Sequence, residues 1–211
     1  MADARVENTG MQVWGGGTLP YSVSHIKLGM WLFIVSDALT FSALLFGYSY
    51  VRIATPDWPT PFHFWPTVVF ATLMTAVLLS SSLTMVLAVN AAQRGDRKWT
   101  IRWILGTAFF GTAFIVLHGL EWMGLINQGM TLTGNPWGTP LFGATFFGIT
   151  GMHMFHVFTG VIYLLAIAGG VARKRFHSEH VEVCGLYWHF VDLVWMFVFP
   201  LVYLLSVDMG A

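Results

Sequence analysis

The chain has 211 residues, of which 56% are hydrophobic, 16% aromatic and only 9% charged. A soluble domain carries roughly 25% charged residues, so this chain lacks a water-facing surface, and disorder, collagen and coiled coil are excluded with it. Its ten basic and ten acidic residues cancel, which leaves no electrostatic basis for binding nucleic acid and points to an integral membrane protein.

Residues 1–24 form a polar, glycine-rich N-terminal segment. They lack the basic patch and apolar stretch of a cleavable signal. Residues 25–211 read as one transmembrane domain. Five apolar stretches lie near 28–53, 67–89, 103–126, 141–171 and 186–207, each long enough for a crossing of about 20 residues. None alternates with period two, so the prediction is five helices in an all-α membrane protein. The fourth stretch is long enough to tilt or project. Pro200 removes the donor to the Met196 carbonyl and predicts a kink in the last span.

The 54–66 loop gathers Trp58, Phe62, Phe64 and Trp65 among Pro56, Pro59, Pro61 and Pro66. It reads as an interfacial aromatic belt on a stiff turn. Trp99, Trp103 and Trp188 are expected at the opposite interface. The pairs Ala43–Gly47 and Ala144–Gly148 have the small-residue spacing that allows close helix contact. Cys184 is the only cysteine, so no intramolecular disulfide forms.

Charge is distributed unevenly over the loops. Arg94, Arg97, Lys98 and Arg102 lie between the second and third spans, and Arg173, Lys174 and Arg175 between the fourth and fifth. Arg5 and Lys27 precede the first span, whereas the other side has only Arg52. The positive-inside rule then predicts the N-terminus inside and the C-terminus outside. Arg173, Lys174 and Arg175, beside an apolar bundle, are also expected to hold anionic phospholipid headgroups.

Asp37, Glu121 and Asp192 fall inside predicted spans. An ionised group at the membrane centre costs roughly 2.5–3.5 kcal/mol on insertion scales. Each must be protonated, paired or turned to a protein interior, and both a functional and a structural role stay open. His118 with Glu121, His153 with His156, and His189 with Asp192 are each three residues apart and share a helix face. A di-iron bundle needs two Glu-x-x-His pairs and two more glutamates. Here the order is reversed and the carboxylates are too few. Histidines also ligate haem, but pairing with carboxylates or carbonyls across helices is the simpler reading. No metal centre and no catalytic residue is assigned to this chain. Counting 1.5 Å per residue puts Asp37 on the order of 14 Å deep and Asp192 on the order of 9 Å. Glu121 falls near the outer surface, and His153 and His156 lie at mid-depth. Asp37 is thus expected to be the deepest acid, with His153 or His156 as its partner. A small transporter using Asp37 and Glu121 would be expected to show inverted repeats or broken helices, and neither is evident.

The run YWHFVDLVWMFVFPLVYL, Tyr187 to Leu204, closely resembles the terminal helix of subunit III of haem-copper cytochrome c oxidases, YWHFVD-[VL]-VW. LGMWLFIVSDALTFSALLFGY (Leu28 to Tyr48), GDRK (Gly95 to Lys98) and FGATFFGITGMHMFHVFTG (Phe142 to Gly160) resemble further motifs of that family in the same order. The likeness covers about residues 25–207. It implies a subunit III-like bundle of the five-span bacterial type, without the first two spans of longer members, in a bacterial inner (plasma) membrane.

The resemblance also implies a non-catalytic role. Haem and copper would reside in partner subunits I and II, and this chain would hold phospholipid, sustain proton uptake and protect the catalytic subunit. Cytochrome c would donate to the complex rather than to this chain. Asp37 stands where mitochondrial-type members carry Glu and bacterial quinol oxidase third subunits carry Asp, which keeps a quinol donor open. Tyr187 and the run after it favour cytochrome c. A nitric oxide reductase accessory protein of the same family is a closer alternative than a stand-alone haem or di-iron redox enzyme. Pro200 stands where the family usually has another residue.

Overall fold

Ser24 opens α1 (His25–Ala54) by accepting the Lys27 amide at 3.3 Å, which satisfies one donor that a helix start leaves free. The computed structural model describes residues 24–208; the rest of the polar N-terminal segment, with Arg5, lies outside the described residues. The second span starts in a π turn, Phe64–Val68, and continues as α2 (Val69–Gln93). Then follow α3 (Arg97–Asn127), α4 (Pro140–Ala172) and α5 (Ser178–Val198). All five spans are long and apolar enough to cross a membrane. They run past the apolar stretches at most ends, most of all at Ser178, eight residues before the expected start of the last span.

Pro200 does interrupt α5, in a specific way. The chain passes through a π turn, Phe199–Tyr203, and a 3-10 turn, Leu204–Ser206, where the Leu204 amide bonds the Phe199 and Pro200 carbonyls. A wider turn absorbs the missing proline donor.

The GDRK motif closes one helix and opens the next. Gly95 adopts φ +74°, its amide bonds Ala92, and the Asp96 amide reaches back to Ala91, the paired bonds of a Schellman closure. The Asp96 carboxylate then accepts the Trp99 amide at 3.2 Å and caps α3. The end of α4 repeats the closure with Lys174 in the left-handed position, at φ +58°.

Helices α2, α3, α4 and α5 close a ring in that order, and α1 packs outside it, against α5 and α4. The ring centres on Trp188 and Trp195, both 0% exposed. Their indole N–H groups donate to Ser81 at 2.9 Å and Thr75 at 3.0 Å, both on α2. Trp188 enters a gap that two glycines leave. A Cβ at Gly111 would stand 2.5 Å from its ring, and one at Gly160, 2.9 Å.

Several expectations are corrected here. Trp188 is a core residue, not an interfacial one, because those glycines on α3 and α4 admit its ring. Phe62 is also core: it is 1% exposed and stacks on Tyr203 at 5.3 Å. Its backbone pairs with the chain at Ser206 and Asp208, which ties the α1–α2 loop to the end of the last span. Phe64 and Trp65 do remain exposed. Gly47 and Gly148 have open space beside them; close approach uses Gly111 and Gly160 instead.

Candidate functional site

The intramembrane polar residues fall into three groups, and one of them lies between α1 and the ring. Asp37 Oδ2 stands 3.2 Å from His156 Nε2 on α4, and both residues are buried. The other ring nitrogen, Nδ1, donates to the Met152 carbonyl at 2.8 Å. A carbonyl only accepts, so Nδ1 carries a proton. Nε2 is the ring nitrogen left facing the carboxylate, a close polar contact in which Asp37 Oδ2 makes no hydrogen bond among the described residues. Phe41 meets the imidazole edge-on at 5.2 Å. Tyr187 donates to the His156 carbonyl at 2.9 Å. His156, rather than His153, is thus the neighbour of Asp37.

Glu121 belongs to a second group, sealed inside the ring. Its Oε2 accepts a 2.7 Å hydrogen bond from Tyr203 and lies 3.3 Å from His118 Nδ1. His118 stacks on Phe114 at 5.6 Å and meets Trp195 edge-on. His153 packs on the same Trp195 at 5.0 Å. Neither of its ring nitrogens has a hydrogen-bond partner among the described residues.

His189 meets Ser82 in a third group, whereas buried Asp192, one turn further on, has neither carboxylate oxygen hydrogen-bonded among the described residues. The serine hydroxyl lies 2.7 Å from His189 Nδ1, so His189 is engaged across helices. Ser82 and Tyr203 were not singled out in the sequence. The serine run at 80–82 inside an apolar span was the available signal; Tyr203 gave none, because tyrosine near a span end reads as an interfacial anchor.

α1 and α5 run in the same direction, and Lys27 bonds Glu182 at 2.5 Å. Asp37 and Asp192 each stand ten residues beyond that bridge, about 15 Å along the helix in both cases, because α5 begins at Ser178 rather than at 186.

No cluster of three or more His, Cys, Asp or Glu able to hold a metal occurs among the described residues. An apolar groove of about 390 Å³ runs between α1 and α5, lined by Phe41, Leu45, Phe46, Phe190 and Phe197 among others. At the basic end Arg173, Lys174 and Arg175 are all exposed, and Lys174 also lines a cleft with Arg97.

Residues 12–207 match the family described as cytochrome c oxidase subunit III. The chain is 30% identical to a quinol oxidase subunit 3 of Bacillus spizizenii over 85% of this chain and 86% of that one. It is also 30% identical to a cytochrome c oxidase subunit 3 of Corynebacterium diphtheriae, over 86% and 88%. A third relative, heme-copper oxidase subunit I+III of Aeropyrum pernix, is 30% identical over 88% of this chain, which spans only 23% of that protein.

Proposed function

The chain belongs to the cytochrome c oxidase subunit III family, and on that premise we propose that it is the non-catalytic third subunit of a proton-pumping terminal oxidase fed by cytochrome c. The observation that carries this reading is the family match across residues 12–207. The Tyr187-to-Trp195 run favours the cytochrome c branch. Quinol is the second reading, favoured by a quinol oxidase relative at the same 30% identity. The archaeal relative named subunit I+III supports contact with a haem-copper subunit I.

In this reading Asp37 and His156 join α1 to α4 and influence proton supply to the catalytic neighbour. Neither is an acid or base in oxygen chemistry, and haem and copper belong to subunits I and II. The chain holds phospholipid in a bacterial plasma membrane, with the basic loops and N-terminus facing the cytoplasm. A reporter at the C-terminus is then active only outside; activity of a cytoplasm-only reporter there overturns the orientation.

The deciding experiment purifies the complex through a tag on this chain. A haem-copper subunit is expected to accompany it and to consume oxygen with reduced cytochrome c. Turnover with quinol alone would move the chain to the quinol branch, and turnover of nitric oxide instead of oxygen to a reductase. Stoichiometric iron or copper that stays with this chain after separation would overturn the absence of a redox centre.

A further inference from the structure

His118 and His153 are both 0% exposed, and none of their four ring nitrogens makes a hydrogen bond among the described residues. His118 Nδ1 comes within 3.3 Å of Glu121 Oε2 without the geometry of one. Glu121 Oε1 and the Trp122 indole N–H are buried and unpartnered as well. These atoms share one compartment, because the two imidazoles flank the same two rings. His118 stacks on Phe114 at 5.6 Å and meets Trp195 edge-on at 5.5 Å. His153 meets Phe114 edge-on at 5.7 Å and lies against Trp195 at 5.0 Å. The Trp122 ring is 5.6 Å from His118, and Tyr203, the donor to Glu121 Oε2, stands 5.9 Å from Trp195.

The polar groups around this compartment are already engaged. The Trp195 indole N–H donates to Thr75 at 3.0 Å. Thr150, three residues before His153, donates to the Phe146 carbonyl at 2.7 Å. A polar atom buried in an apolar interior without a partner is costly, and buried water is the ordinary partner of such atoms. The mixture of atoms selects the ligand. An indole N–H only donates, a carboxylate oxygen accepts, and a neutral imidazole does one of each. The ligand must therefore both donate and accept, and it must be small enough to sit between packed helices. A metal cation cannot accept from Trp122, and no cluster of three or more His, Cys, Asp or Glu able to hold one occurs among the described residues.

We propose that ordered water is bound inside the ring, between His118, Glu121 and Trp122 of α3 and His153 of α4, and joins the two helices there. His153 is the residue that demands it. A phenylalanine would fill the same place against Phe114 and Trp195, so a polar ring is needed only where a polar ligand answers it. Trp188, about two turns nearer the basic end on α5, is the internal contrast. Gly111 and Gly160 close on its ring and its N–H donates to Ser81 at 2.9 Å, which leaves no polar atom there for water. The site does not depend on the electron donor or on the catalytic partner.

The test is hydroxyl-radical footprinting of the full-length chain, purified through a tag and exposed briefly to X-rays in heavy-oxygen water. Radicals made from a bound water hydroxylate the side chains around it, and mass spectrometry of the peptides locates the added oxygen. Trp195 and Tyr203 are fully buried, so labelling there requires water inside the ring. Their labelling is expected to exceed that of the equally buried Trp188 about tenfold, because the radical source is a bound molecule and not bulk solvent. His118→Phe and His153→Phe each keep a planar ring without its nitrogens, and each should bring the labelling down to the level of Trp188. An unlabelled Trp188 in these variants shows that the ring is still closed. A wild-type chain unlabelled at Trp195 and Tyr203 overturns the site, and this result stands even where a variant opens the ring. Equal labelling of Trp188 also overturns it, since that means general penetration by solvent. So does wild-type labelling in both phenylalanine variants, which places the water elsewhere.

Discussion

α1 and the ring of α2 to α5 are held by different forces. In the most apolar stretch of α1, 17% of residues are buried inside the chain, against 50% for α5. The ring interlocks around Trp188 and Trp195. α1 is fastened by polar contacts at three depths. Lys27 meets Glu182 at the basic end, and Asp37 meets His156 midway. At the far end Arg52 donates to the Leu205 carbonyl and to Ser206, which also shares a hydrogen bond with Tyr48. Lipid supplies no hydrophobic drive between helices. A helix with little interlocking surface must therefore be located by polar contacts, and it is the element most easily displaced.

The largest effect is expected in the ring. Trp188→Ala removes the side chain that fills the gap between Gly111 and Gly160 and leaves the Ser81 hydroxyl without its indole donor. The cost is about 3–5 kcal/mol, read as a lower denaturation midpoint in detergent. A wild-type midpoint would mean that the ring does not depend on this packing. Gly111→Ala should destabilise as well, because its Cβ would stand 2.5 Å from the Trp188 ring.

The middle fastening of α1 comes next. Asp37→Ala leaves His156 Nε2 without its partner, at about 1–3 kcal/mol, whereas Asp37→Asn keeps shape and hydrogen-bonding capacity. Retention of the subunit in its complex after detergent treatment should fall in the order wild type, Asn, Ala. The ring itself should keep its denaturation midpoint, which separates this effect from that of Trp188→Ala. Equal retention in all three would remove the link.

The smallest effect belongs to Lys27 and Glu182. Both side chains are about a third exposed, so water and salt screen the pair and its worth is under about 1 kcal/mol. Lys27→Gln should loosen α1 slightly at low ionic strength and not at high. The Lys27→Glu/Glu182→Lys exchange should restore most of the loss. A large effect that does not depend on salt would assign Lys27 some other role.

Much of this protein was legible in the chain itself. Composition alone required a membrane environment, because 9% charged residues cannot clothe a soluble surface. Continuous apolar stretches fixed five helices, and three-residue spacings put His118 beside Glu121. The ordered motifs carried the family. What stayed out of reach was which face of each helix meets which neighbour. Apolar residues surround every span, so period and moment carry little information about the buried side. Trp188 therefore read as an interfacial anchor and Phe62 as a belt residue. Only the assembled ring, with glycines opening a gap on two other helices, makes Trp188 its centre. The choice of His156 over His153 likewise depends on how α1 rests against α4, and the pairing of Glu121 with Tyr203 on the π turn that contains Pro200. These contacts join residues tens of positions apart, and no local pattern encodes them; they exist once packing has set the helices against one another.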